Sequence, residues 1–362
     1  MLKFLIWGII ILHPFVIFSE LKNFIEYMDR LQELKELLSS PKTITLTTHR
    51  NPDGDAMGSM LGVFHFLKRQ NHRVFMIAPS EYPENFEWMM SIQECLIWDI
   101  SPEECQSAIS NADIIFALDY NGLDRVDKLG EAIKKSDAQK VLIDHHLFPE
   151  DFADFMLSDT TASSTCELVY DFIELLGMKN KIDPIIGDCL YTGILTDTGS
   201  FKHATSPKLF RIVADLVEIG VDGNAIQDKI FNSLKEKHLR LLGHCLHNRM
   251  EILEEYHTGL IWLTKGDYEK FDIQRGDTEG IVNYLLSLKQ VKIAAFIHEQ
   301  PKITKLSLRS KGDISVQQIA SKYFRGGGHK NASGGASFIG LEPTIRKFKE
   351  AIAETFNKEL SN

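Results

Sequence analysis

From Pro41 onward the chain alternates short apolar, β-branched runs with stretches of helical periodicity. TITLTTH (43–49), RVFMIA (73–78), ADIIFALD (112–119) and KVLIDHH (140–146) are the runs. Short apolar runs separated by helical segments predict βαβ units and a parallel sheet. Each run ends in polar residues, and open α/β sheets bind ligands at the carboxyl ends of their strands. From about Thr160 to Met250 the pattern turns mostly helical, through TCELVYDFIELLG, PIIGDCLYTGIL and PKLFRIVADLVEIG. A polar stretch follows, NAIQDKIFNSLKEKHLRLLGH, suited to connecting two domains. Strand-like segments return in GLIWLT, VKIAAFIHE and KITKLSLRS, followed by a glycine-rich loop and a final helix from about Pro343. The pattern predicts an α/β chain: a larger N-terminal parallel-sheet domain over 28–235, a linker region over 236–250, and a smaller α/β domain over 251–362.

Residues 1–27 stand apart. MLKFLIWGIIILHPFVIF carries one charge, Lys3, and lies at the lower limit of length for a membrane helix. It reads as a signal anchor, as an uncleaved signal peptide with no A-x-A-like site in FSELKNF, or as a stretch ahead of a true start at Met28. The third reading is the expectation, because MDRLQELKELLSSP opens as an ordinary amphipathic helix and the chemistry below needs cytosolic substrates. A cytoplasmic location is expected, with membrane anchoring through residues 1–18 as the alternative.

Composition narrows the class. With 362 residues, 44% hydrophobic and 25% charged, the chain is neither disordered, fibrous nor a multi-span membrane protein. A net charge of −10 argues against coating nucleic acid with the whole surface. Five widely spaced cysteines without a CxxC pair indicate neither a disulfide framework nor a thiolate zinc site.

The candidate chemistry sits at the predicted strand ends. The first strand runs into His49-Arg-Asn-Pro-Asp53-Gly-Asp55, an HxxxDxD spacing at a strand-to-helix turn. The later strands end in Asp119 and in Asp144-His145-His146, and the helical region adds Asp197 in TDTG. Carboxylates gathered at neighbouring strand ends repel one another unless cations intervene. Imidazole with an excess of carboxylate suits divalent ions and leans toward Mn²⁺ or Mg²⁺. Composition alone would place an HxxxDxD about 0.06 times and a DHH about 0.03 times in such a chain. Taken singly, Asp53 or Asp55 reads equally well as a helix cap, Asp119 as a turn residue and His145 as a buried histidine. Taken together, they read as one metal centre.

At these residues the sequence resembles the DHH phosphoesterase family. HxNPDGDA at 49–56, Asp119, Asp144-His145-His146 and Asp197 follow the family's order, and Gly326-Gly327-Gly328-His329 with Asn331-Ala-Ser-Gly-Gly335 is similar to its DHH-associated C-terminal domain. The resemblance spans about 28–355 and is greatest to the bacterial branch that degrades oligoribonucleotides and dephosphorylates 3′-phosphoadenosine 5′-phosphate (pAp). It implies two divalent ions, Mn²⁺ foremost with Mg²⁺ or Co²⁺ as alternatives. One would be held by His49, Asp53 and Asp119, the other by Asp55, Asp119, His145 and Asp197. Asp119 bridges, and His146 is left to contact the scissile phosphate. A water activated between the two ions would be the nucleophile, with the active site in the cleft between the domains.

Charge in the C-terminal part is uneven. Residues 289–330 carry nine lysines and arginines against Glu299 and Asp313. Arg309 and Arg325 can fork onto phosphate oxygens and Lys330 can act as a point charge, although most of these lysines read as scattered surface groups. Glycines at 326–328 allow backbone amides to approach a phosphate. Through the resemblance, Arg309, Ser310, Gly327, Gly328 and His329 are expected as substrate contacts. The TASST stretch at 161–165 either touches a phosphate at a helix start or caps that helix.

The expected activity is hydrolysis of short oligoribonucleotides, releasing mononucleotides, and of pAp to AMP. Long duplex nucleic acid is not an expected partner, and a homodimer is left open. The enzymatic rival is cleavage of cyclic or linear dinucleotides, and the rival of another class is a nucleotide-binding sensor without catalysis.

Overall fold

A computed structural model describes residues 14–232, 235–274 and 276–359, without the side chains of 14–24 and 357–359. The chain divides into two compact units, 1–232 and 233–362.

The first unit holds a six-stranded, all-parallel sheet in the order β3-β2-β1-β4-β5-β6. The strands are β1 Thr43–Thr48, β2 Arg73–Ala78, β3 Cys95–Ile97, β4 Ile114–Leu118, β5 Gln139–Asp144 and β6 Phe155–Ser158. β4 is buried at every position, the continuous apolar run expected of a strand covered on both faces. Ile114, Phe116 and Leu118 pack on one side among residues of the helices Gly54–Lys68, Thr165–Leu175 and Pro184–Asp197. Ile115 and Ala117 face residues of Pro102–Ser110 and Lys128–Lys135 on the other. The chain builds outward from β1 through β2 to β3, then crosses back to β4. That reversal between β1 and β4 is a topological switch point, where such sheets leave a crevice outside the strand ends.

Two helices approach closely on the first face. Gly54, Gly58 and Gly62 recur every fourth residue and form one stripe of the helix Gly54–Lys68. A Cβ at Gly58 would lie 2.5 Å from the Cys189 carbonyl oxygen of the helix Pro184–Asp197. Only glycine admits this approach.

The helix Pro14–Leu38 runs through Met28 without a break. It buries Leu31, Leu34 and Leu38, and Tyr27 packs its ring 5.5 Å from that of Phe155. Residues 1–13 of the expected anchor lie outside the described residues. Among the described residues no helix is long and apolar enough to cross a membrane.

The second unit is built on a sheet in the order β11-β12-β10-β9-β8-β7. Its strands are β7 Met250–Leu253, β8 Thr258–Leu263, β9 Ile293–Glu299, β10 Thr304–Ser310, β11 Gly327–His329 and β12 Ala332–Ser337. Only β8 and β9 pair in parallel. Leu306, Leu308, Ile293, Ala295 and Ile297 pack against the helices Val316–Phe324 and Leu341–Glu359. Ile261, Leu263, Ala294 and Phe296 pack against Glu236–Asn248 and Ile281–Leu286.

Three expectations change. The segment 236–250, expected as a linker, forms the helix Glu236–Asn248, which buries Leu241 and Cys245 in the second unit. Its apolar stripe is narrow, so the polar face dominates the sequence. The division falls earlier, after Asn232. The glycine-rich loop is largely a strand, β11, paired with β12. A Cβ at Gly326 would collide with the Gly334 carbonyl oxygen, and Gly328 has φ 132°, so glycine is required for the backbones to meet. Strands β3, β6 and β7 had no visible signal, being three or four residues long.

Candidate metal centre

His49 directly follows β1, where its Nδ1 lies 2.9 Å from the Arg50 carbonyl oxygen. A carbonyl only accepts, so Nδ1 carries a proton and Nε2 is the ring atom turned toward the carboxylates. That Nε2 is 3.4 Å from Asp119 Oδ2 and 3.9 Å from Asp53 Oδ2. Asp53 divides its carboxylate. Oδ1 caps the helix Gly54–Lys68 by accepting from the Asp55 and Ala56 amides at 3.0 and 3.1 Å, while Oδ2 turns to His49.

Asp55, in the first turn of the same helix, is fully buried. Its two oxygens accept from the Thr165 and Cys166 amides at 2.6 and 2.9 Å, so the carboxylate rests on the N-terminus of the helix Thr165–Leu175. Asp119 follows β4 with φ 66°, a conformation Asp tolerates better than most residues. Its Oδ1 accepts from the Thr165 hydroxyl at 2.9 Å and lies 3.7 Å from His145 Nε2, while its Oδ2 faces His49. His145 Nε2 is also 3.2 Å from Asp197 Oδ2 and 3.8 Å from Asp55 Oδ2.

The described residues thus include two donor groups, each with ligand atoms within 4.8 Å: His49, Asp53 and Asp119, and Asp55, His145 and Asp197. Asp119 touches both. A third group, Asp119, Asp144 and His146, adjoins them. Asp144 is buried and holds His146 twice, accepting from its amide at 3.1 Å and lying 2.7 Å from its Nδ1. These two contacts fix the orientation of the His146 ring through its Nδ1 edge.

Electrostatics point the same way. Burial, then the neighbouring charges of Asp55 and Asp53, push the Asp119 carboxyl well up. Burial likewise raises Asp55, and with the Asp55 charge it lifts Asp197 to about 7. Burial pulls His145 down, but the hydrogen bond to Asp197 and the charges of Asp55 and Asp119 outweigh it and push the imidazole up to about 11. The carboxylates thus resist ionising together in a buried site, through desolvation first and mutual repulsion second. Carboxylate-rich groups of this size with one imidazole each fit divalent ions that accept mixed oxygen and nitrogen donors.

In the second unit, Arg309 of β10 and His329 of β11 both pair with Ala332 of β12 and stand at one level of the sheet. Arg309 donates to the Leu308 carbonyl at 3.0 Å, and burial lowers its pKa. Gly327 and Gly328 are exposed. Ser310 is less available than expected. Its hydroxyl donates to the Ile314 carbonyl at 2.7 Å and accepts from the Asn331 side chain at 2.9 Å.

Two residues escaped the sequence reading as members of this centre. Asp144 had no role of its own, although its place two residues before His146 carried the signal. In TASST the capping is done by Ser164, which accepts from the Glu167 amide at 3.1 Å. Thr165 instead serves Asp119, for which no sequence signal exists.

Residues 43–194 match the model of the DHH family, N-terminal domain, and 260–358 that of the DHHA1 domain. A bifunctional oligoribonuclease and PAP phosphatase of Thermus thermophilus is 28% identical over 337 residues, 92% of this chain and 96% of that protein. A cyclic-di-AMP phosphodiesterase of Bacillus subtilis is 25% identical over 339 residues, 89% of this chain but 49% of that protein. The crystal structure of an exopolyphosphatase-related protein from Bacteroides fragilis superposes with a TM-score of 0.88 at 36% identity, covering 92% of this chain and 98% of that one.

Proposed function

The chain belongs to the DHH family of phosphoesterases, and from that premise we propose that it hydrolyses RNAs of a few nucleotides and converts pAp to AMP with two divalent ions. The observation that carries the reading is the division of the Asp119 carboxylate, one oxygen toward His49 and the other toward His145. Mn²⁺ is the expected ion. Two such ions would lower the pKa of a shared water toward neutrality and neutralise charge on the phosphoryl oxygens.

The protein's own part is positioning. His49, Asp53 and Asp119 would hold one ion, and Asp55, Asp119, His145 and Asp197 the other. The Thr165 hydroxyl and the first amides of its helix fix the Asp119 and Asp55 oxygens, so that the donor set is formed in advance. Asp144 keeps the His146 ring in one orientation, from which Nε2 can bond a phosphoryl oxygen or deliver a proton to the leaving oxygen. Arg309, His329 and the amides of Gly327 and Gly328 are proposed to bind substrate phosphates; Ser310 would contribute less directly, by holding the turn through Ile314 and Asn331.

The Thermus relative, matched along nearly its whole length, favours this substrate class. The Bacillus phosphodiesterase supports a second reading, cleavage of cyclic dinucleotides. One assay separates them: pAp, a 5′-phosphorylated RNA dinucleotide, a longer RNA and a cyclic dinucleotide side by side with Mn²⁺. The first two should be turned over fastest. Fastest turnover of the cyclic compound overturns the substrate assignment, and no turnover with any metal leaves a nucleotide sensor.

A further inference from the structure

Phe148 is 85% exposed, two residues beyond His146. Its φ is 58°, the left-handed region that bulky residues avoid. The next residue is Pro149, and a residue before proline is itself pressed toward extended backbone. A large apolar side chain is thus held in water, on a backbone that two independent rules disfavour.

The hold is specific. Asn121, two residues beyond Asp119, donates its side-chain amide to the Leu147 carbonyl at 2.7 Å. The Glu150 amide donates to the Asn121 carbonyl at 2.7 Å, and the Glu150 carboxylate accepts from the Leu123 amide at 3.1 Å. Gly122 leaves room for that carboxylate, since a Cβ there would lie 2.8 Å from its carbon. The loops that continue β4 and β5 are therefore tied to each other around Phe148. Strain over-determined by its surroundings marks positions where function sets the conformation. At 3.8 Å between successive Cα atoms, Phe148 begins within about 7.6 Å of His146, one nucleotide's reach from a phosphate bound there.

We propose that Phe148 is a fixed stacking platform for a nucleobase of the substrate and sets a preference for phosphodiesters that carry bases. The inference rests on the proposed reaction and names what that site reads beside the phosphate. An aromatic face suits it because every base has a π surface, which gives binding without choosing among bases. Because the loop is tied beforehand, little ordering cost opposes the contact.

The test compares a 5′-phosphorylated RNA dinucleotide with the same dinucleotide lacking both bases, in the full chain with Mn²⁺. Wild-type protein should favour the base-bearing compound about tenfold in kcat/KM, a typical worth of one stacked base. Phe148→Ala should reduce that preference toward unity through KM, Phe148→Trp should keep it, and Phe148→Leu should not. The melting temperature should stay unchanged in all three. An undiminished preference in Phe148→Ala, an equal loss on both substrates, or full rescue by Leu overturns the platform. So does a change of oligomeric state with kinetics unaltered, which would assign the ring to a second copy of the chain. If wild-type protein hydrolyses neither compound, the proposed reaction itself fails, a separate outcome.

Discussion

Replacing Gly58 by Ala tests how the two carboxylate-bearing helices are set against each other. The added methyl would meet the Cys189 carbonyl oxygen at 2.5 Å, Cys166 Sγ at 3.0 Å and the Gly193 amide nitrogen at 3.1 Å. Two of these neighbours are backbone, so the helices Gly54–Lys68 and Pro184–Asp197 must separate by about 1 Å to restore ordinary contact. Overpacking of this kind costs about 1–3 kcal/mol, against which the helix gains about 1 kcal/mol from losing a glycine. The net loss of up to about 2 kcal/mol corresponds to a fall in Tm of as much as roughly 4–8 °C for a unit of this size. The same separation pulls Asp55, carried by one helix, from Asp197, which ends the other. A displacement near 1 Å costs catalysis about a hundredfold. Gly243 supplies the opposite sign: it is exposed on the helix Glu236–Asn248 and a Cβ there meets nothing within 4 Å. Gly243→Ala should stabilise by about 0.5–1 kcal/mol and leave turnover unchanged. Circular-dichroism melting and pAp hydrolysis read both variants. A Gly58→Ala protein that melts with the wild type and retains its activity would refute the close-approach argument.

Asp119→Ala should lose both proposed ions together, seen as Mn²⁺ stoichiometry falling toward zero in calorimetry with turnover down more than about a thousandfold; retention of one tight site would remove Asp119 from its shared position. Asp144→Asn keeps the volume but weakens the grip on His146, so kcat should fall about 10- to 100-fold while Mn²⁺ stoichiometry holds; an unchanged kcat would free His146 from that control. In metal-free protein the Asp197 carboxyl is raised to about 7. A group raised on folding contributes stability below its unfolded pKa, and that contribution is lost as pH rises through the folded value. Metal-free protein should therefore lose stability between about pH 4 and 7 from this group, and the Tm gain on adding Mn²⁺ should be larger at pH 8 than at pH 5. An equal gain at both values would contradict the proton-for-metal exchange.

The parallel sheet was legible because a strand buried on both faces writes its burial as an unbroken apolar run, as IIFAL of β4 does. Four such runs with helical spacing between them imply the layer order. What stayed hidden was short or non-local. CLI of β3 and FMLS of β6 are edge strands too brief for periodicity to register. The helix Glu236–Asn248 looked like a tether because only its Leu241 and Cys245 are buried. The glycines after Arg325 read as a loop because nothing local reveals that Gly326 must pass beside Gly334, a neighbour supplied by the hairpin.

The centre shows a second limit of sequence reading, which is that it sets alternatives against each other where the two oxygens of one carboxylate leave room for both. Asp53 invited a choice between helix cap and metal ligand; one oxygen caps and the other faces His49. Asp55 shows the converse. Its amide partners come from Thr165 and Cys166, 110 and 111 residues away, so its anchoring is invisible in the HxxxDxD spacing that identifies it. A carboxylate has two oxygens and several lone pairs, and a preformed donor set needs some spent on the protein so that the rest stay aimed. The same reasoning explains Asp119. Thr165 occupies part of Oδ1 from the helix side, which leaves its remaining capacity and all of Oδ2 turned toward the two imidazoles. Motif spacing therefore identifies which residues meet, whereas the hydrogen bonds they spend on the scaffold determine what they present when they do.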